Sequence, residues 1–163
     1  MATSKDTTPP DFTGFPEDTF RFLRGIAKHN DKKWLDAQRD LYERGYMTPA
    51  RALVAALGPK LRAVSKTVSF DPKINGSLFR IQRDIRFSKD KSPYKTHAAL
   101  WIFHRAPGRG VGQTVDGGAG FYFHLEPGAS LVAAGLWMPP RPKLQLVRDA
   151  IADDPEAWES VVL

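Results

Sequence analysis

The sequence contains no cysteine, so it has no disulfide bond, no thiolate metal ligand and no cysteine nucleophile. It also lacks the Gly-x-Ser-x-Gly pattern that surrounds the nucleophile of many serine hydrolases. No apolar run approaches the length needed to cross a bilayer. The polar N-terminus lacks the apolar core of a secretory signal peptide. These absences predict a cytoplasmic protein with no membrane partner.

The composition is that of an ordinary folded chain with an excess of basic residues. Of 163 residues, 42% are hydrophobic and 26% are charged, which suits one domain with a substantial core. We expect residues 1–11 to form a disordered tail and residues 12–163 to form a single domain. The net charge of +6 and the pI near 9.7 fit anionic partners, such as phosphorylated metabolites or nucleic acid. They equally fit a mildly basic protein that has neither.

The first third of the chain has the apolar spacing of helices. Proline, or a side chain that caps a first turn, marks each predicted start. The three starts are Phe15-Pro16, Asn30-Asp31 and Thr48-Pro49. We expect Gly58-Pro59 to kink or split the third helix.

Strand patterns follow from residue 78 onward. The predicted strands are residues 78–87, 97–104, and a hairpin of 121–126 with 131–137. Residues 105–120 contain six glycines and predict a mobile hairpin loop in which Arg109 could serve as a lid. Helices follow from residue 142. Strands that are grouped in this way predict an α+β fold. In it, N-terminal helices pack on a mostly antiparallel sheet of about four strands, followed by C-terminal helices.

Residues 80–95 form the most informative segment, because six cations and two carboxylates give it +4 of the chain's net +6. As a strand it would place Arg80, Asp84 and Arg86 on one face, about 7 Å apart. Asp84 would then hold both arginines. As a helix it would gather Arg80, Arg83 and Asp84 instead. Either arrangement predicts a cradle for phosphate or carboxylate. The predicted anion-binding residues are Arg80, Arg83, Arg86, Lys89, Lys91, Tyr94 and Lys95, and Asp84 and Asp90 are predicted to orient them.

Arg83 falls on the otherwise apolar face of this predicted strand, where a cation needs a partner. Asp84, Glu126 and a ligand are the candidates. The alternative to an anion site is therefore a structural salt bridge between Arg83 and Asp84, with the lysines solvated.

A second constellation lies in the predicted hairpin. Strand alternation sends Tyr122, His124 and Glu126 to one face, and a histidine beside a carboxylate can act as an acid–base pair. We predict this role for His124 and Glu126, facing the arginines if the hairpin pairs with the motif strand. The alternative is the polar outer face of an antiparallel sheet.

Metal binding is the weaker prediction. His97, His104, His124 and Glu126 are available, but no pair has tight ligand spacing. We therefore predict no metal ligands and no cofactor, with Mg²⁺ considered only in the company of a phosphate ligand.

The string Arg80-x-x-Arg83-Asp84-x-Arg86-Phe87-Ser88-Lys89-Asp90-Lys91-x-Pro93-Tyr94-Lys95 resembles the motif of a family of bacterial and fungal conserved hypothetical proteins. The family is catalogued as domain of unknown function twenty-four sixty-one. The resemblance extends over nearly all of residues 12–163, including Asn30-x-x-x-Trp34 and the hairpin. It implies no activity, substrate or cofactor. Since members of the family usually continue further, it also implies that a C-terminal portion is missing here.

Three functions remain open. The first is the binding of, and action on, a small phosphorylated or anionic ligand by the Arg/Lys cluster. The second is a nucleic-acid-binding module. The third is a structural or interaction domain whose motif is an internal ion-pair network. The sequence leaves undecided whether the chain is an enzyme and what its oligomeric state is.

Overall fold

The computed structural model describes residues 11–104 and 119–162. The predicted N-terminal tail therefore falls outside the described residues, except for Asp11. The same holds for most of the predicted glycine-rich loop, including Arg109. The described part is an α+β arrangement of N-terminal helices, a four-stranded antiparallel sheet and C-terminal helices, as the sequence predicts.

The N-terminal helices form a layer that supplies most of the core. Helix α1 (Glu17–Lys28) follows Pro16 and carries two carboxylates in its first turn, where the helix dipole favours negative charge. Its inward face is formed by Thr19, Phe22, Leu23 and Ile26. In α2 (Lys32–Ala37), the backbone N–H of Trp34 donates to the Asp31 side chain at 2.8 Å, so the predicted cap is present.

The chain then continues through α3 (Arg39–Tyr42), a π-helical turn (Glu43–Met47) and α4 (Thr48–Val64). Helix α4 starts at the predicted Thr48-Pro49 but is continuous past Pro59, so the expected split at Gly58-Pro59 is absent. Gly58 has a packing role, since a Cβ built there would lie 2.3 Å from the ring of Phe70.

The sheet has the strand order β1-β2-β3-β4, and every pair is antiparallel. Its strands are β1 (Val68–Ser69), β2 (Ala98–His104), β3 (Ala119–Leu125) and β4 (Leu131–Leu136). The last three were predicted within a few residues, whereas β1 was not. The predicted motif strand over residues 78–87 is instead irregular, with isolated bridges at Leu78 and Gln82.

One face of the sheet packs on the helices and the other is open. Ala98 and Leu100 of β2 join the core cluster, and Phe123 and Leu125 of β3 pack against it. Because side chains alternate along a strand, the residues that lie between these inward-facing ones point to the open face of the sheet. The candidate site lies on that face.

The C-terminal helices α5 (Arg141–Asp153) and α6 (Pro155–Val162) contain no buried residue within the described part of the chain. They pack mainly on each other. Among residues 11–104 and 119–162, no helix is both long and apolar enough to cross a membrane.

Candidate ligand-binding site on the open face of the sheet

A groove of about 490 Å³ lies on the open face of the sheet. Aromatic side chains from three parts of the chain line it: Phe79, Trp101, Tyr122 and Trp137. Its floor includes the paired residues Gly120 and Gly135 of β3 and β4. A Cβ at Gly120 would lie 2.6 Å from the ring of Trp101, so only glycine lets this ring rest against the strand.

Trp101 contributes its ring to the wall of this groove and has a buried, unpaired donor. The residue is 9% exposed, and its indole Nε1–H has no hydrogen-bond partner among the described residues. A buried donor without a partner is costly. Its strand composition predicts Trp101 as a core residue, and spacing alone does not indicate the unpaired N–H.

A hydrogen-bonded row of polar side chains continues from the groove towards the end of β3. The hydroxyl of Tyr122 lies 3.0 Å from Nδ1 of His124, and Nε2 of His124 lies 3.1 Å from Oε2 of Glu126. Thr96 donates to the other carboxylate oxygen of Glu126 at 3.3 Å. Because an ionised carboxylate only accepts, the neutral tautomer that satisfies both contacts has its hydrogen on Nε2 and accepts from Tyr122 at Nδ1. The three predicted side chains therefore share a face.

His97 completes this group, which we call the polar cluster: His97, Tyr122, His124 and Glu126. Its ring stacks on that of His124 with 4.2 Å between centroids. The register explains the contact, since Ala98 pairs with Leu125 and places His97 beside the end of β3. This contact depends on strand register and not on local spacing, so the sequence pattern does not reveal it.

Three members of the cluster have pKa values shifted by burial and by their neighbours. Burial, followed by the nearby His124, lowers the pKa of His97 to about 4, so this imidazole is neutral at pH 7. The hydrogen bond from His124 lowers the pKa of Glu126, which is ionised. Burial, followed by the charge of Glu126, raises the pKa of Tyr122, which keeps its proton.

The basic motif passes beside this cluster as an irregular loop anchored at both ends. The backbone N–H of Arg83 donates to Pro93 at 2.9 Å, and that of Lys95 donates to Ile81 at 2.8 Å. Ile81 and Tyr94 are buried in the core cluster. The loop is therefore neither the predicted strand nor the alternative helix.

Two ion pairs tie the middle of the motif together. Arg83 pairs with Asp90 and not with Asp84 or Glu126, which corrects the predicted partners. Asp84 accepts from Nε of Arg86 at 2.9 Å and from its Nη2 at 2.6 Å, and this pairing lowers the pKa of Asp84 to about 2. The carboxylate thus orients Arg86 alone, while Arg80 acts on it only through its charge.

Lys95 differs from these paired arginines. Its ammonium donates to the carbonyl of Arg80 at 2.9 Å and lies 5.0 Å from the centre of the Phe79 ring. It is partly buried, and burial followed by the charge of Arg80 lowers its pKa. Within the described residues, no carboxylate forms an ion pair with it.

The other predicted anion-binding residues lie apart from the groove. Arg86 contacts Asp84 and Phe87, and Lys91 donates to the carbonyl of Ile85 at 3.0 Å. Lys89 is exposed. Tyr94 is 8% exposed, which leaves it no free face for a ligand. The structure thus brings Lys95 close to the polar cluster, and it places Arg80 and Arg83 within electrostatic reach of Lys95 and His97 respectively.

A model of the family of conserved hypothetical proteins designated DUF2461 matches residues 18–163. The chain belongs to this family. No curated protein and no solved structure matches the chain. Membership in DUF2461 agrees with the resemblance seen in the basic motif and adds no activity to it.

Proposed function

We propose that this DUF2461 protein binds a small phosphorylated or otherwise anionic ligand on the open face of the sheet. The anionic group lies beside Lys95, and the apolar part lies in the groove. The observation that carries the proposal is the partly buried side chain of Lys95, whose ammonium has no ion-pair partner among the described residues. A partly desolvated cation beside a second positive charge gains from a counter-charge, and a bound anion supplies that charge.

The surroundings of Lys95 support an anion in this place. Arg80 adds positive charge next to the ammonium, and Arg83 acts on the neighbouring His97. The ammonium of Lys95 has three hydrogen-bond donors, and one of them donates to the carbonyl of Arg80. Two donors therefore remain for a phosphate or carboxylate.

The groove supports an apolar portion next to that anion. Lys95 lies over the ring of Phe79, and Phe79 meets Tyr122 edge-on with 6.2 Å between centroids. Both rings line the groove, so the cation and the aromatic walls are contiguous. The ring of Trp101 adds a further apolar wall to the groove.

The structural alternative has less support. Arg83–Asp90 and Arg86–Asp84 join exposed or partly exposed side chains, and such pairs contribute little to stability. A network of this kind does not account for the positive charge left on Lys95. The proposal concerns binding, and the acid–base role of His124 and Glu126 stays a prediction.

A second candidate function rests on Phe87, which is 94% exposed and is flanked by Arg86, Lys89 and Lys91. An exposed ring among cations is the arrangement on which single-stranded nucleic acid stacks. Binding there would fall steeply with salt concentration and would not need Lys95.

Calorimetric titration with phenyl phosphate tests the proposal, in buffer free of phosphate and divalent ions. We expect phenyl phosphate to bind more tightly than inorganic phosphate, because its ring enters the groove. Lys95→Met should weaken binding tenfold or more, and the matched control Lys89→Met should leave it unchanged. Equal binding by the two variants, or no binding by the wild-type protein, would overturn the proposal. Binding of single-stranded DNA that is lost in Lys89→Met and kept in Lys95→Met would favour the second candidate.

A further inference from the structure

We propose that His97, His124 and Glu126 form a site for one divalent transition-metal ion, with zinc as the best fit. Each residue offers one ligand atom, and these atoms lie within 4.8 Å of one another. In a tetrahedral zinc site with bonds of about 2.1 Å, ligand atoms are about 3.4 Å apart. Oε2 of Glu126 and Nε2 of His124 already lie 3.1 Å apart, and rotation of the His97 ring out of its stack on His124 would direct its nitrogen to the same ion.

The donor set selects the kind of metal. Two imidazole nitrogens and one carboxylate oxygen match the protein ligands of many catalytic zinc sites, in which the fourth position is left to water or substrate. Magnesium and calcium prefer oxygen ligands throughout. The cluster therefore points to zinc or a neighbouring transition metal and not to the Mg²⁺ that the sequence analysis considered.

Two of the three side chains already have an outer partner that fixes their orientation. The hydroxyl of Tyr122 holds Nδ1 of His124, and Thr96 holds Oε1 of Glu126. Both contacts leave Nε2 and Oε2 directed towards each other. Metal-ligating histidines almost always use their second nitrogen in this way. With an ion on Nε2, the hydrogen sits on Nδ1 and donates to the oxygen of Tyr122.

The backbone gives the site a rigid support. His124 lies in β3, Glu126 follows directly after it, and His97 directly precedes β2, which pairs with β3. Side chains on paired strands are positioned more accurately than side chains on loops. No ligand comes from the irregular basic motif.

The positive charge of Lys95 and Arg83 near His97 has two consequences. This positive charge repels a metal cation, so we expect the site to bind zinc more weakly than a site surrounded by carboxylates would. It also favours an anionic group in the open fourth position. Metal binding itself does not require the anionic ligand proposed above, so each proposal can fail without the other.

Titration of the chelator-treated, metal-free full chain with Zn²⁺ alone tests the inference, with a chromophoric chelator as competitor. We expect one tightly bound ion per chain, and none in His97→Ala or Glu126→Gln. His104→Ala is the matched control, because this exposed histidine ends β2 outside the cluster. Tyr122→Phe should bind roughly tenfold more weakly, and Lys95→Met should keep the ion while losing phenyl phosphate.

Cobalt offers a second measurement that does not depend on activity. Co²⁺ in the wild-type protein should give the intense visible absorption of a four-coordinate ion, and this should disappear in Glu126→Gln. Circular dichroism and thermal melting verify that each variant is folded. Absence of stoichiometric zinc in the wild-type protein would overturn the inference, as would equal loss in His104→Ala and His97→Ala. Either result would return His124 and Glu126 to their predicted acid–base role.

Discussion

The imidazole rings of His97 and His124 stack with 4.2 Å between centroids, although His124 lies in β3 and His97 directly precedes β2. Their contact depends on the register in which Ala98 pairs with Leu125. A slip by one residue would send the side chains of one strand to the other face. The polar cluster is therefore a direct product of sheet register, and it would be lost in any mispaired form even with every side chain intact.

Asn30 should anchor the basic motif to the helical layer. Its side chain accepts from the N–H of Tyr94 at 2.9 Å and donates to the carbonyl of Tyr94 at 3.0 Å. Asn30→Ala leaves both groups unpaired and should cost about 2 kcal/mol or more. Asn30→Asp keeps the accepted bond but sets a carboxylate oxygen against the carbonyl of Tyr94, so it should also be destabilising. Urea unfolding measures the series, and the matched change Gln82→Ala, at an exposed position of the same loop, should be near neutral. Equal stability of Asn30→Ala and wild type would contradict this anchoring.

The Arg83–Asp90 pair should contribute little to stability. Both side chains reach solvent. Forming an exposed ion pair replaces the hydration of two charges with their contact, so the net gain in stability is small. Asp90→Asn and Arg83→Gln should therefore leave the melting temperature nearly unchanged. Differential scanning calorimetry measures this directly. A loss of many degrees in both variants would instead favour the ion-pair network as the structural purpose of the motif.

Gly120→Ala should damage the groove. The added Cβ would lie 2.6 Å from the ring of Trp101 and 2.9 Å from the carbonyl of Ile102, so the indole must move. Overpacking of this kind costs about 1–3 kcal/mol. We expect lower stability, a changed tryptophan emission maximum and weaker phenyl phosphate binding. Ala119→Ser, at the exposed neighbouring position, is the control. Unchanged emission and binding in Gly120→Ala would show that Trp101 does not shape the ligand site.

Stability should fall on the alkaline side because of two core tyrosines. Burial raises the pKa of Tyr42 to about 12, and burial also raises the pKa of Tyr46. The ordinary value is about 10. Between pH 10 and 12 the unfolded chain loses the Tyr42 proton while the folded chain keeps it. The contribution of Tyr42 is therefore complete below pH 10 and is lost as pH rises to 12.

The expected loss from Tyr42 over this interval is about 2 kcal/mol. Urea unfolding at several pH values between 9 and 12 measures it, and Tyr42→Phe should flatten the dependence. The lysines titrate equally in both proteins and cancel in the comparison. An identical slope in the variant would show that Tyr42 ionises as easily in the folded state as in the unfolded one.

The parts of the fold that the sequence predicts are those set by local rules. Helical spacing and the Asp31 cap locate the N-terminal helices, and alternation locates β2, β3 and β4. Strand β1 was missed because a pair of residues carries no period. The motif was predicted as a strand because Ile81, Ile85 and Phe87 alternate, yet Phe87 is 94% exposed. Its backbone follows anchoring contacts at Asn30 and Pro93, which alternation does not encode.

The same distinction applies to the site. Tyr122, His124 and Glu126 share a face because they lie two residues apart on one strand, and this follows from the sequence. The approach of His97 follows from a pairing between strands. The pairing of Arg83 with Asp90, and the lack of an ion-pair partner for Lys95 in the described chain, follow from how the loop folds back. These relationships are non-local, so spacing alone does not reveal them.

Gly135 also bears on the outer edge of the sheet. Strand β4 is an outer strand of the four-stranded sheet, and outer strands offer backbone groups to which a foreign strand can add. The φ of Gly135 is +145°, a conformation that L side chains rarely adopt and that breaks the regular extended edge. An incoming strand could therefore follow β4 only from Leu131 to Ala134. The positive φ of Gly135 thus shortens the regular edge that β4 offers to an incoming strand.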